Sequence, residues 1–393
     1  MEQQRKNIAF LHQDFPGGGT EMVTMNIAKL LGELKVFVFA PNFHNDKLHS
    51  TLTNIEPVKL SYVFYDSRNI PTIVKNIKEK GIEFFVFPGG CNDVVCLADA
   101  IREETDCKII YMSHFEPFWE YIEDREIKKR RTKGSFLKTL EWNLFRSHKY
   151  TFGIRKAIYK KIYKECYDKV DIFGVLCEEY GREIAKAIGI RYEGSKFRVL
   201  NNSVEPNNAY VVPKQKEVCF IGRLSYWDKR PENILKVWSL VEDKHPDWIL
   251  NILGTGAEEE NLKQLAKSLN LKRVHFLGFV SDVQSYYNRA SIVCMTSDYE
   301  GWGMVLMEAQ TNGCVAMAFD CSAGVREILS PSWTNGVLVS PNRIKVYAKA
   351  LSKLMSNDEL RNRVAENGRE AVQRFSPKNS LSQWRDILKE LSK

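Results

Sequence analysis

Thr296-Ser-Asp-Tyr-Glu300-Gly-Trp-Gly-Met-Val-Leu-Met-Glu308-Ala-Gln-Thr-Asn-Gly313 is the stretch around which the rest of the chain is arranged. An apolar run, Ala290 to Met295, leads into it and reads as a buried strand. A helical pattern, Val305 to Thr311, leads out. Between them lies a glycine-flanked turn that carries Glu300, with Glu308 inside the helix. Strand, glycine turn and helix N-terminus form a geometry that receives an anion, because free backbone N–H groups and the positive helix end point at it. A carboxylate about one turn into the helix suits a vicinal diol, and one in the preceding loop reaches another hydroxyl. By themselves, these residues also fit a surface turn with two solvated glutamates.

Outward from this stretch the chain alternates strand and helix. Glu217-Val-Cys-Phe-Ile-Gly222-Arg223 and the following Lys229 place two cations at the end of a strand. Arginine offers a bidentate fork to phosphate and lysine a point charge. Trp248 to Leu253 is a strand closed by Gly254-Thr-Gly256, and Val274 to Phe279 is another. Val315 to Phe319 follows the central stretch, and Gly324 to Leu329 begins a further helix. Asp358 to Phe375 is a long polar helix, and Leu381, Trp384, Leu388 and Leu391 mark a last amphipathic one.

The first half repeats the alternation. Asn7 to Leu11 is a strand, Gly17-Gly18-Gly19-Thr20-Glu21 a loop, Val23 to Leu31 a helix and Lys35 to Ala40 a strand. The triple glycine allows close approach to a phosphate, and equally makes a plain tight turn. No acidic residue ends the second strand, so this is not a dinucleotide fingerprint. Ser61 to Tyr65, Glu83 to Phe87 and Lys108 to Met112 read as strands, with helices over 70–80 and 93–104. Repeated β–α units predict doubly wound parallel sheets, which bind ligands beyond the carboxyl ends of their strands. Gly89-Gly90 and His114 fall at such ends. Asp171 to Leu176 is a strand and Glu179 to Ile188 a helix. The polar run 207–216 reads as a linker.

With 393 residues, 44% hydrophobic and 27% charged, the chain fits two globular domains. It has no apolar run long enough to span a membrane and no secretory leader, which predicts a cytosolic protein. Nine cysteines at irregular spacings predict reduced core residues rather than a metal site or disulfides. Charge is uneven. Arg125 to Glu165 holds 14 Lys and Arg against 3 Glu, a local +11 in a chain of +8 overall. Phe136, Trp142, Phe145, Tyr150, Phe152, Tyr159 and Tyr163 interleave with these charges, and Ile154, Ile158 and Ile162 repeat near helical spacing. Such a region suits an anionic membrane surface, a solvated helix pair or, least of the three, nucleic acid.

Taken together, Gly222-Arg223 with Lys229, Leu253-Gly-Thr-Gly256, Phe276-Leu-Gly-Phe-Val-Ser-Asp282 and Glu300-Gly-Trp-Gly-Met-Val-Leu-Met-Glu308 resemble the retaining glycosyltransferases of family four. The likeness covers the C-terminal half closely and the N-terminal half loosely, through Gly17 to Glu21 and His114. It implies a GT-B architecture: two Rossmann-like β/α/β domains facing a central cleft, with a C-terminal helix returning to the first domain. The expected division is 1–206, with a basic helical region at about 119–165, then 207–375 and 376–393. The resemblance implies that Arg223 and Lys229 hold the donor diphosphate, Glu308 the ribose and Glu300 the transferred sugar. The donor site would include Gly254 and Gly301, with the backbone of Trp302, Gly303, Met304 and Val305 at sugar and phosphate. Gly18 and Gly19 would close on the phosphate, His114 would contact the sugar, and the base would lie near Phe279 and Val280. Trp302 and Arg230 depart from the usual family residues, which bears on donor choice.

The implied reaction moves a hexose or N-acetylhexosamine from a nucleotide sugar, UDP-linked by the likeness of Phe319 to Glu327 to polysaccharide-building members. The acceptor would be a lipid-linked or growing surface glycan, and the enzyme would sit peripherally on the inner face of the membrane. The chain contains no Asp-x-Asp, so no metal and no cofactor are expected. Two rivals stand beside this reading: a nucleotide-sugar epimerase of the same fold, and a non-catalytic basic binding module.

Overall fold

The structure, a computed structural model, describes residues 7–17, 19–44, 54–130, 136–146, 148–151, 153–207 and 213–393. Gly18, Phe152, the basic run 131–135 and the linker residues 208–212 lie outside the described residues, as do the side chains of Phe136 and Phe145. Contacts divide the chain into two compact units. One comprises the residues up to Asn201 together with Ser380–Lys393, the other Asn202–Asn379.

The first unit holds β1 (Asn7–Leu11), β2 (Asp14–Phe15), β3 (Lys35–Ala40), β4 (Asn42–Phe43), β5 (Ile55–Lys59), β6 (Ile82–Phe87), β7 (Lys108–Met112), β8 (Ile172–Val175) and β9 (Phe197–Val199). Seven of them form one sheet in the order β5-β3-β1-β6-β7-β8-β9, and β2 pairs with β4 alone. Every pair in the large sheet is parallel, with Ile8 opposite both Val36 and Phe84. Parallel strands are covered on both faces, which is why β1, β3 and β6 read as continuous apolar runs.

The strand expected at Ser61 to Tyr65 lies earlier, at β5. Tyr62, Val63 and Tyr65 are exposed. The Asn69 amide accepts from the Tyr62 N–H (3.2 Å) and donates to the Val63 carbonyl (2.9 Å), folding the segment into a turn. β5 contains Pro57 and is the sheet's edge, where a residue without an N–H is tolerated.

Trp384, Ile387 and Leu388 of the helix Pro377–Leu391 pack in one core with Ile8, Phe10, Val36 and Met112. Asn201 and Gln383 exchange two hydrogen bonds, at 3.1 and 2.7 Å. The end of the chain is thus part of the first unit's core.

Between β7 and β8 the chain makes helices Trp119–Arg130, Phe136–Glu141, His148–Thr151 and Ile154–Lys169, with a π-helical turn at Trp142–Arg146. Three of the aromatic residues that interleave with the Lys and Arg of this region, Trp142, Tyr150 and Tyr163, are buried. The Tyr163 hydroxyl donates to Glu120 (2.8 Å) and accepts from the Phe118 N–H (3.0 Å), tying the last helix of the insert to the start of its first. Large rings whose polar tips find partners are better buried than exposed. Among the described residues of the insert, the large apolar side chains left in water are aliphatic: Leu137 (76% exposed), Ile154 (58%), Leu144 (51%), Ile158, Leu140 and Ile127.

The second unit is built on β10 (Gln215–Ile221), β11 (Ile249–Leu253), β12 (Val274–Gly278), β13 (Ala290–Met295), β14 (Val315–Phe319) and β15 (Val337–Val339). Their order is β12-β11-β10-β13-β14-β15, again all parallel. Trp238, Trp248 and Tyr347 fill its core. The nine thiols are unbridged, and seven are buried. Among the described residues, no helix is long and apolar enough to cross a membrane.

Trp384→Ala should remove about 3–5 kcal/mol from the first unit, the range for a large ring deleted from a core. Urea unfolding followed by near-UV circular dichroism measures it. A loss below about 1 kcal/mol would mean that the last helix is only draped on the surface.

Candidate functional site

In an open parallel sheet, the chain diverges to opposite sides at the point where strand order reverses, leaving a crevice at the carboxyl ends. In the second unit that point lies between β10 and β13. The residues singled out from the sequence leave the sheet there. Gly222, Arg223 and Lys229 follow β10, and Thr296 to Glu300 follow β13.

Backbone bonds tie the two loops together. The Asp298 N–H donates to the Asp228 carbonyl (2.8 Å), and the buried Thr296 hydroxyl donates to the Arg230 carbonyl (2.9 Å). These bonds set the Lys229 ammonium against the Glu300 carboxylate, with the lysine side chain 23% and the glutamate 15% exposed. Burial pulls the lysine pKa down, but the Glu300 charge and hydrogen bond outweigh it and hold the group above its ordinary value. Arg223 is mostly exposed and donates to Asp228 (3.1 Å). Arg230 has φ +51°, left-handed backbone that glycine would adopt without strain. Its guanidinium lies 2.8 Å from Glu232 and 3.4 Å from Asp298, so ion pairs hold the residue there.

Two glycines are required by geometry. Gly254 has φ +136°, and a methyl group on it would lie 1.9 Å from the Gly222 carbonyl, so β10 and β11 can end side by side only with glycine. Gly303 has φ +95° and precedes the helix Met304–Thr311 with no side-chain cap. Met304 and Val305 form the first turn of that helix, directly after the loop of Glu300 and Gly301. The Trp302 indole turns inward: it is 2% exposed, donates to the Met307 sulfur and meets Phe375 edge-on at 5.2 Å. At this turn Trp302 contributes backbone.

Glu308 lies one turn into the helix and accepts a hydrogen bond from the Tyr287 hydroxyl (2.5 Å). It lines a cavity of 600 Å³ with Ile221, Asp282, Tyr287, Thr311 and Asn312. Just beyond β12, Phe279 is 82% exposed and Val280 half-buried. The arrangement offers two cations and a helix N-terminus to an anion, two carboxylates to hydroxyls, and an exposed ring to a flat apolar group. Sequence reading passed over Asp228 and Tyr287. Asp228 adjoins Lys229 and had that adjacency as a signal. Tyr287 had none, because its partner is 21 residues away.

In the first unit, Gly19 begins the helix Gly19–Leu30, and His114 follows β7. His114 is buried, and neither ring nitrogen has a hydrogen-bond partner among the described residues. Burial, with the neighbouring His12 adding to it, lowers its pKa to about 3. His12, also passed over, stands at the end of β1 and pairs with the Thr24 hydroxyl at 2.9 Å. Like His114 it occupies a strand end, the signal that could have found it.

Residues 205–371 match the family described as Glycosyl transferases group 1. An uncharacterized glycosyltransferase of Haemophilus influenzae is 35% identical over 188 residues, which cover 48% of this chain and 53% of that protein. The chain thus spans about half the length of this curated relative. The Campylobacter jejuni GalNAc-alpha-(1->4)-GalNAc-alpha-(1->3)-diNAcBac-PP-undecaprenol alpha-1,4-N-acetyl-D-galactosaminyltransferase is 21% identical over 394 residues, 98% of each chain. Among solved structures, HepE of Anabaena in complex with UDP and glucose superposes with a TM-score of 0.75 at 18% identity, covering 98% of this chain and 100% of that one. The fold is therefore that of the GT-B glycosyltransferases, two Rossmann-like units with parallel sheets.

The buried neutral His114 gives a pH signature. Its folded pKa lies below the unfolded value near 6.5, so the unfolded chain takes up a proton first and stability is lost as pH falls from about 6.5 toward 3. At pH 5 the loss from this group is about 2 kcal/mol. Urea titrations at pH 7 and 5 should show a smaller acid loss in His114→Gln than in wild type. Equal losses would mean that His114 takes up its proton as readily when folded.

Proposed function

We propose that the chain is a retaining glycosyltransferase that moves a hexose or N-acetylhexosamine from a nucleotide sugar to a lipid-linked or growing surface glycan. The observation that carries the reading is the grouping of Arg223, Lys229, Glu300 and the open helix start at Met304 around the crevice between β10 and β13. Sugar transfer breaks the bond between the anomeric carbon and a phosphate oxygen, so negative charge grows on the leaving diphosphate. Fixed cations and N–H dipoles aimed at that charge are the largest contribution a protein can make. Arg223 and Lys229 serve that role, Glu300 holds hydroxyls of the moving sugar, and Glu308 holds the ribose. Phe279 and Val280 border the base, and His114 contacts the sugar as a neutral hydrogen-bonding group. The acceptor hydroxyl attacks the anomeric carbon as the phosphate leaves, and its proton passes to that phosphate.

UDP is the favoured nucleotide, since HepE, which shares the fold, is seen with UDP and glucose. A lipid-linked acceptor is supported by the name of the Campylobacter jejuni relative. Arg223 and Lys229 are the cations offered to the leaving charge, and the chain contains no Asp-x-Asp, so the reaction is read as metal-independent.

Calorimetric titration with UDP, GDP and ADP in the presence of EDTA should show one nucleotide preferred. Glu308→Ala should weaken that binding by about 1.5–3 kcal/mol, the worth of a charged hydrogen bond. Glu300→Gln should lower turnover far more than nucleotide affinity. Net epimer formation from the nucleotide sugar without acceptor would overturn the reading, as would unchanged kinetics in both variants.

The enzyme is also placed at an anionic membrane surface, through the insert between β7 and β8. Exposed Leu137, Leu144, Ile154 and Ile158 amid the local excess of Lys and Arg support this. Aliphatic side chains enter the acyl boundary while the cations meet lipid phosphates. Co-sedimentation should recover more protein with anionic than with neutral liposomes, and Lys160, Lys161 and Lys164→Glu should abolish the difference. Equal recovery with both lipids would discard the assignment.

A further inference from the structure

We infer that Tyr287 is a positioning residue that fixes the Glu308 carboxylate for a ribose diol, and so sets the discrimination between ribose and its deoxy forms. The inference rests on the nucleotide-sugar reading above and adds to it a residue that no sequence motif marks.

Tyr287 sits in the short helix Val283–Arg289 and is 3% exposed, yet its hydroxyl reaches Glu308 at 2.5 Å. Burial and the Glu308 charge push the phenol well above its ordinary range, so the group stays a donor at any working pH. A carboxylate has two oxygens with about four acceptor directions. The tyrosine takes one of them on Oε2, and Glu308 lines the cavity described above. A vicinal diol presents two O–H donors to one carboxylate, which works only if the carboxylate plane is set beforehand. A glutamate free to turn about its terminal torsion, which is broad and roughly two-fold, has to be ordered at the moment of binding.

The tyrosine is itself held. The Lys214 ammonium donates to the backbone carbonyls of Tyr287 (2.7 Å), Asn288 (3.0 Å) and Asn312 (2.6 Å). Those carbonyls belong to the last turns of the helices that carry Tyr287 and Glu308, where a cation is stabilising. The buried Cys314 thiol adds a bond to the Tyr287 carbonyl (3.1 Å). One lysine thus locks the two helix ends together, and Tyr287 carries that rigidity to the carboxylate. Asn312 continues the lock from the other side, donating to the Glu308 carbonyl at 2.8 Å.

The test compares wild type, Tyr287→Phe, Glu308→Ala and the double variant by calorimetry. The probes are UDP, GDP and ADP and their 2′,3′-dideoxy forms. Wild type should prefer the ribo form of its chosen nucleotide. Tyr287→Phe should weaken the ribo form roughly three- to tenfold, the scale of one hydrogen bond, and leave the dideoxy form unchanged. In the Glu308→Ala background the tyrosine substitution should have no further effect on the ratio. A merely structural role would weaken both forms alike, and that result overturns the inference, as does a ratio unchanged in Tyr287→Phe. Binding of none of the nucleotides by wild type would instead bring down the nucleotide-sugar reading itself, and this inference with it.

Discussion

The ammonium of Lys229 lies against the carboxylate of Glu300, and both side chains are mostly withdrawn from water. Neither charge could be held there alone, because an unpaired ion at that depth costs several kcal/mol. The rest of the second unit can be read as the scaffold that makes the pair affordable. Parallel pairing of β10 with β13 brings the two loops to one crevice. Backbone bonds from Asp298 and Thr296 then fix their separation. Gly254 allows the neighbouring strand end to approach so closely that no other residue would fit.

A site made this way is already neutralised before any ligand enters. Arg223 is paired with Asp228, Lys229 with Glu300, and Arg230 with Glu232 and Asp298. In the proposed reaction an incoming diphosphate would replace carboxylate partners rather than fill a field of bare positive charge, and Glu300, displaced from Lys229, would then accept from hydroxyl groups. Partner exchange of this kind keeps the crevice folded when empty and still favours an anion with more charge than a single carboxylate. The first unit supplies the contrasting environment. His114 is kept uncharged by burial.

The insert between β7 and β8 shows the same separation of duties on a larger scale. Its tyrosines and Trp142 point inward, where their hydroxyls and ring edges find partners such as Glu120, Asp124 and the Tyr150 carbonyl. What remains outside is leucine, isoleucine and a large excess of cations. Composition alone did not say which apolar side chains face out. Packing leaves aliphatic ones there among the described residues, because a ring with a polar tip is worth more in a core that can satisfy the tip.

Alternation of apolar runs with glycine turns was enough to fix two parallel α/β units, since buried parallel strands carry their signal in local sequence. Arg223, Lys229, Glu300 and Glu308 could be singled out for the same reason: each lies beyond the end of a strand or near the start of a helix. Where local signals competed, the sequence misled. Ser61 to Tyr65 has the residues of a strand, yet Asn69 folds it into a turn, and Pro57 in the true strand is acceptable only because that strand is an edge. Three further features were out of reach of any local pattern: the pairing of Lys229 with Glu300 across 71 residues, the bond from Tyr287 to Glu308, and the lysine that clasps three carbonyls. The sequence alone determined which elements form and which side chains stand at their ends, because those follow from periodicity and backbone freedom. Only the tertiary structure decided which charges meet, because that depends on the order in which distant strands lie side by side.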